Sequence, residues 1–79
     1  MTMQVRWFAG AAEAAGVESE EVTLAGSGTI SEVLASHRPG TAQVLGRCSF
    51  LVDGVRHDGD EPWPTGAATL DVLPPFVGG

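Results

Sequence analysis

The chain has 79 residues, enough for one small domain with a thin core and room for one sheet and one or two helices. A formal charge of −6 with only four basic residues argues against a nucleic-acid backbone or an anionic membrane surface as partner, and favours proteins with basic docking faces. A single cysteine excludes a disulfide framework, a four-cysteine zinc site or an iron–sulfur cluster held by this chain alone, and fits a reducing cytoplasm.

Met3 to Phe8 alternates Met3, Val5 and Trp7 against Gln4 and Arg6, the pattern of a half-buried strand. Ala9 to Ala15 is alanine-rich and closes on Gly16, which predicts one or two helical turns. Glu18 to Leu24, with Val22 and Leu24 apolar, predicts a second strand antiparallel to the first, broken by Gly26-Ser27-Gly28. At Thr29 the periodicity becomes helical. Thr29 and Glu32 form a capping-box signature, and Ile30, Val33 and Leu34 share one face, so a helix is expected from Ile30 to Ser36. It must end by Arg38, because Pro39 disfavours helical geometry in the residue before it. A short helical piece over Ala42 to Leu45 is expected to be capped by Thr41 and closed by Gly46. Ser49 to Val52 then reads as a strand, Asp53-Gly54 as a hairpin turn into Val55 and Arg56, and Thr69 to Leu73 as the final strand.

The last strand fits best beside the first, in the middle of a mixed sheet with the main helix across one face. That α+β arrangement is the ubiquitin-like β-grasp. No repeat, low-complexity tract or linker interrupts it, so one domain is expected over residues 1–79, with 74–79 as a protruding tail.

The tail carries the most specific information. Pro74 and Pro75 lack N–H donors and hold an extended backbone, so they stop strand pairing and direct the chain outward. Six extended residues reach roughly 20 Å at about 3.3 Å each, enough to enter a deep pocket on another protein. Phe76 and Val77 offer apolar anchors, and Gly78 and Gly79 let a narrow channel close around the main chain and bring the terminal carboxylate to a reacting group.

These features resemble the MoaD family, the small sulfur-carrier subunits of molybdopterin synthase, along the full length of the chain. The resemblance is carried by Trp7-Phe8-Ala9 with the short alanine-rich helix, by Val52-Asp53-Gly54, and above all by Leu73-Pro74-Pro75 before the diglycine. It implies that Gly79 is adenylated by a ubiquitin-activator-like adenylyltransferase that uses ATP. Gly79 is then thiocarboxylated with sulfur from a donor protein, and the tail enters the large synthase subunit to deliver sulfur to a cyclic pterin phosphate. On this pattern Gly78 gives close backbone access, Pro74 and Pro75 aim the tail, and Phe76 and Val77 anchor it. The chain itself would bind no cofactor or metal and would not be an enzyme alone, since the catalytic groups sit on partners. Two departures stand out. Gly66-Ala67-Ala68-Thr69-Leu70 replaces the family's acidic turn, and Trp63 stands where a smaller core residue is usual.

Other candidates read as structural. Cys48 beside Arg47 would need a lowered thiol pKa to carry a persulfide, and is expected to be a packed residue. His57, Asp58, Asp60 and Glu61 match no ligand spacing and read as a solvated acidic turn. His37 and Arg38 suit a helix C-terminus. Gly26-Ser27-Gly28 lacks the lysine of a phosphate loop, and no serine, histidine and acid form a recognisable triad. Nothing in the chain reads as a cationic leader or a membrane span. The alternatives are a carrier serving thiamine or cysteine synthesis, a protein modifier joined to target lysines through Gly79, and a plain interaction domain with an inert tail.

Overall fold

A computed structural model describes residues 2–23 and 27–75. The tail residues Phe76, Val77, Gly78 and Gly79, together with Leu24 and Gly26, lie outside the described residues.

Strand β1 (Thr2–Trp7) is followed by α1 (Ala9–Ala15), β2 (Ser19–Thr23), α2 (Ile30–His37), α3 (Ala42–Leu45), β3 (Ser49–Val52), β4 (Val55–His57) and β5 (Thr69–Leu73). Among the described residues the five strands form one sheet in the order β2-β1-β5-β3-β4. Its central pair is parallel, with Gln4 opposite Thr69 and Trp7 opposite Val72. The outer pairs are antiparallel. This is the ubiquitin-like β-grasp, with the last strand beside the first.

The strand alternation separates two faces. Met3, Val5 and Trp7 of β1, Phe50 and Val52 of β3, and Leu70 and Val72 of β5 point into one core with Ile30, Val33 and Leu34 of α2. Fully burying a side chain such as Leu70 contributes about 2 kcal/mol, so a core this small depends on each of its members. The opposite face carries polar groups, including a two-pronged pair between Arg6 and Asp71 at 2.6 and 2.9 Å across β1 and β5.

Local signals explain the element ends. Gly16 takes a left-handed φ of 84° and donates its N–H to the Ala12 carbonyl, closing α1. Thr29 accepts from the Glu32 N–H while Glu32 accepts from the Thr29 N–H, the reciprocal cap expected from the sequence. Helix α2 stops at His37, one residue past the expected Ser36, with Arg38 already non-helical ahead of Pro39. Asp53 and Gly54 both have positive φ, 48° and 85°, as a two-residue hairpin turn requires.

Three expectations need correction. Phe8 is not strand: it precedes α1 with an exposed side chain. The second strand begins at Ser19, not Glu18. Thr41 does not cap α3, because Pro39–Thr41 forms a 3-10 turn and the buried Thr41 hydroxyl donates instead to the Arg38 carbonyl at 2.6 Å.

Candidate docking site at the root of the tail

Strand β5 lies between β1 and β3, paired with β1 through Val72 and with β3 through Leu73. The chain then leaves the sheet through Pro74, which is half-buried, and Pro75, which is exposed. Neither residue can donate a hydrogen bond, so strand pairing ends there and the exit point is fixed by the most constrained strand of the fold.

Beside the exit lies a groove enclosing about 550 Å³. Its walls come from Phe8, Ala9 and Gly10 at the β1–α1 junction, from Val44 of α3, and from Leu73, Pro74 and Pro75, with Arg47 as its charged member. Phe8 is one of the large apolar side chains left exposed, at 39%. Ala9 turns the chain there with a φ of 48°, a left-handed conformation that costs an alanine about 1–2 kcal/mol. An apolar surface around a directed chain exit suits the seating of a partner's apolar side chains next to the tail.

The structure brings Pro74 and Pro75 together with three elements that sequence reasoning did not connect to them. Phe8 was hidden by its position at the end of an alternating run, where it reads as one more strand residue. Val44 and Arg47 lie about thirty positions away from the tail, and only the β3–β5 pairing, with Ser49 opposite Leu73, places them beside it.

Cys48 immediately precedes Ser49, the residue opposite Leu73. Its thiol donates to the Val44 carbonyl at 3.2 Å, and burial pushes its pKa up. This is the packed thiol expected from the sequence, and the lowered pKa that a persulfide role would need is absent.

The acidic loop is internally satisfied. Glu61 accepts from the Asp58 N–H and pairs with the His57 ring at 3.0 Å, and these contacts, led by the backbone donor, hold its carboxyl below the ordinary value. Among the described residues, no three His, Cys, Asp or Glu side chains gather as metal ligands would. Arg38 does more than sit at a helix end: it grips Glu20 of β2. The Trp63 side chain belongs to the core, and its backbone N–H donates to the Gly28 carbonyl at 2.9 Å. At the departure before β5, the Asp53 carboxylate accepts from the N–H groups of Ala68 and Thr69, so the acid that orders this turn comes from another loop.

The sequence matches no family model and no curated protein. Solved structures do match. The crystal structure of SAMP1, a small archaeal modifier protein from Haloferax volcanii, shares 26% identity over all of both chains with a TM-score of 0.75. A putative molybdopterin converting factor subunit 1 from Pyrococcus furiosus shares 21% identity over 96% of this chain and 99% of that one, with a TM-score of 0.72. A complex of subunits 1 and 2 of the molybdopterin-converting factor from Helicobacter pylori shares 23% identity over all of both chains with a TM-score of 0.63. The chain therefore has the ubiquitin-like fold shared by these molybdopterin converting factor small subunits and the archaeal modifier. No helix among the described residues is long and apolar enough to cross a membrane.

Proposed function

We propose that this chain is a ubiquitin-like carrier whose terminal Gly79 is activated as an acyl-adenylate, converted to a thiocarboxylate, and used to donate sulfur to a cyclic pterin phosphate in molybdopterin formation. The observation that carries the reading is the Pro74-Pro75 step leading out of the central strand β5 toward Phe76-Val77-Gly78-Gly79, next to an apolar groove. A carboxylate is a poor electrophile, because its oxygen is a poor leaving group. Joining that oxygen to AMP supplies a good one, and a sulfur nucleophile can then attack the carbonyl. In this reading the body contributes aim and docking, while the activating enzyme, the sulfur donor and the large synthase subunit contribute the reacting groups. The relative from Helicobacter pylori, in complex with its subunit 2, supports a two-subunit assembly.

A second reading keeps activation at Gly79 but gives the acyl group to lysines of target proteins. It is supported by the full-length likeness to SAMP1.

Intact mass spectrometry after incubation with ATP, an activating adenylyltransferase and a sulfur source tests the carrier. A gain of about 16 Da marks replacement of one carboxylate oxygen by sulfur. Transfer of that sulfur to pterin precursor by the large subunit supports the first reading. Isopeptide-linked bands in cells without such transfer support the second. A chain that gains no mass, and works with both glycines removed, is neither.

A further inference from the structure

We propose that the folded body is a non-acceptor for its own activated terminus: it presents no amine within reach of Gly79, so an acyl group raised there passes only to a partner's nucleophile. This rests on the activation at Gly79 proposed above.

The first observation is compositional. The chain has no lysine, and its four basic residues are Arg6, Arg38, Arg47 and Arg56. A guanidinium stays protonated at all working pH values and does not attack an acyl group, whereas a lysine amine does. At Arg6 and Arg38 the two-pronged pairing with Asp71 and Glu20 is itself a reason for arginine. At Arg47 and Arg56 it is not, since among the described residues neither has a carboxylate within 4 Å.

The second observation is topological. An α-amine at Met1 would be the other amine to consider. Strands β1 and β5 are parallel, so Thr2 lies at the end where β5 begins and Pro74 leaves at the other. From Thr2 to the level of Phe8, opposite Leu73, is six residue steps, roughly 20 Å at about 3.3 Å each. The four residues after Pro75 span at most roughly 13 Å, and the step from Thr2 back to Met1 adds only about 4 Å. That combined reach, roughly 17 Å, is shorter than the separation between Thr2 and the exit. The thiol of Cys48 donates to the Val44 carbonyl, and burial raises its pKa.

The reaction avoided is specific. A lysine amine would attack the Gly79 carbonyl, forming a C–N bond as the C–O bond to AMP breaks. AMP leaves with the electron pair, and the proton goes to water. Counted from the free chain, self-capture costs one water and spends the terminus.

The test incubates the whole chain with magnesium ATP and an activating adenylyltransferase, with and without hydroxylamine, and reads intact mass. Hydroxylamine should trap the adenylate as a hydroxamate about 15 Da heavier. Without it, the unaltered chain should yield no species about 18 Da lighter. Arg47→Lys and Gly10→Lys each place an amine in the groove beside Pro74, and at Gly10 a new Cβ meets open space. Both should give the lighter species. Self-conjugation of the unaltered chain overturns the inference, as does survival of both variants unconjugated while hydroxylamine still traps them. No hydroxamate from any chain overturns the activation reading itself, and this inference with it.

Discussion

The guanidinium of Arg38 holds the carboxylate of Glu20 with two nitrogens, Nε to Oε2 and one terminal nitrogen to Oε1, each at 2.9 Å. The indole N–H of buried Trp7 donates to the same Oε2 at 2.9 Å. One carboxylate thus ties the end of α2 to β2 and β1, and through β1 to the strand that carries the tail. Glu20→Ala leaves the Trp7 N–H without its partner, which should cost about 1–3 kcal/mol in urea unfolding.

The same carboxylate sets an acid dependence. Arg38, and to a lesser degree Trp7, hold the Glu20 carboxyl below its ordinary value despite partial burial. A lowered folded pKa means that the pair contributes fully above the unfolded carboxylate value of about 4.3 and is lost as pH falls through the lower folded value. Stability of the unaltered chain should therefore fall more steeply below about pH 4.3 than that of Glu20→Gln, which keeps the shape without the titration. Superimposable acid limbs in a pH series of unfolding curves would remove Glu20 from this role.

At the β3–β4 hairpin the prediction is conformational. Gly54 has a φ of 85° and open space around its Cβ position, so a side chain there meets no clash but a strained backbone. Gly54→Ala should cost about 1–2 kcal/mol through the left-handed conformation alone. Gly46, whose φ of −64° is ordinary, also has open space around it, and Gly46→Ala should be close to neutral. Thermal unfolding of the two variants separates backbone strain from packing.

Much of this architecture was legible because local chemistry and tertiary need agree. Met3, Val5 and Trp7 alternate because one face of β1 is buried, and the Thr29–Glu32 box and Asp53-Gly54 turn use residues with few other uses in that order. What stayed hidden was relational. The Glu20–Arg38 pair joins residues 18 positions apart, and the groove assembles Phe8, Val44 and Pro74 from separate elements. Nothing in the local sequence of any one of them encodes the others. Thr41 misled for a related reason: its hydroxyl could accept an N–H as a cap or donate to a carbonyl, and the 3-10 turn that starts at Pro39 puts the Arg38 carbonyl within its reach.

Cys48 should prove sluggish toward thiol reagents. Its pKa is raised by burial, so at pH 8 less of it is thiolate than of a free cysteine. Alkylation by iodoacetamide should run several-fold slower in the folded chain than in urea, where burial is lost. A folded rate equal to or above the unfolded one would reopen a role for this sulfur beside the tail.

The strongest expectation concerns the two prolines, because their effect on binding and on folding should separate. They follow β5, so replacing both by glycine removes no strand hydrogen bond; with about 0.4–1 kcal/mol for the half-buried Pro74, the melting temperature should fall by no more than the roughly 4–8 °C that 1 kcal/mol produces in a domain this size. The replacement does enlarge the set of conformations that the tail must give up on entering a partner. At about 0.4–1 kcal/mol for each proline, the loss amounts to roughly 1–2 kcal/mol, or about a 5- to 30-fold weaker affinity for the activating enzyme. On the proposed carrier reading, deleting Gly79 should instead abolish loading while leaving that affinity largely intact, since that reading assigns the apolar contacts to Phe76 and Val77. Calorimetric binding alongside thermal unfolding distinguishes the cases. If the double glycine variant bound as tightly as the unaltered chain, the tail would not be a pre-aimed arm, and the fixed exit from β5 would have no bearing on delivery.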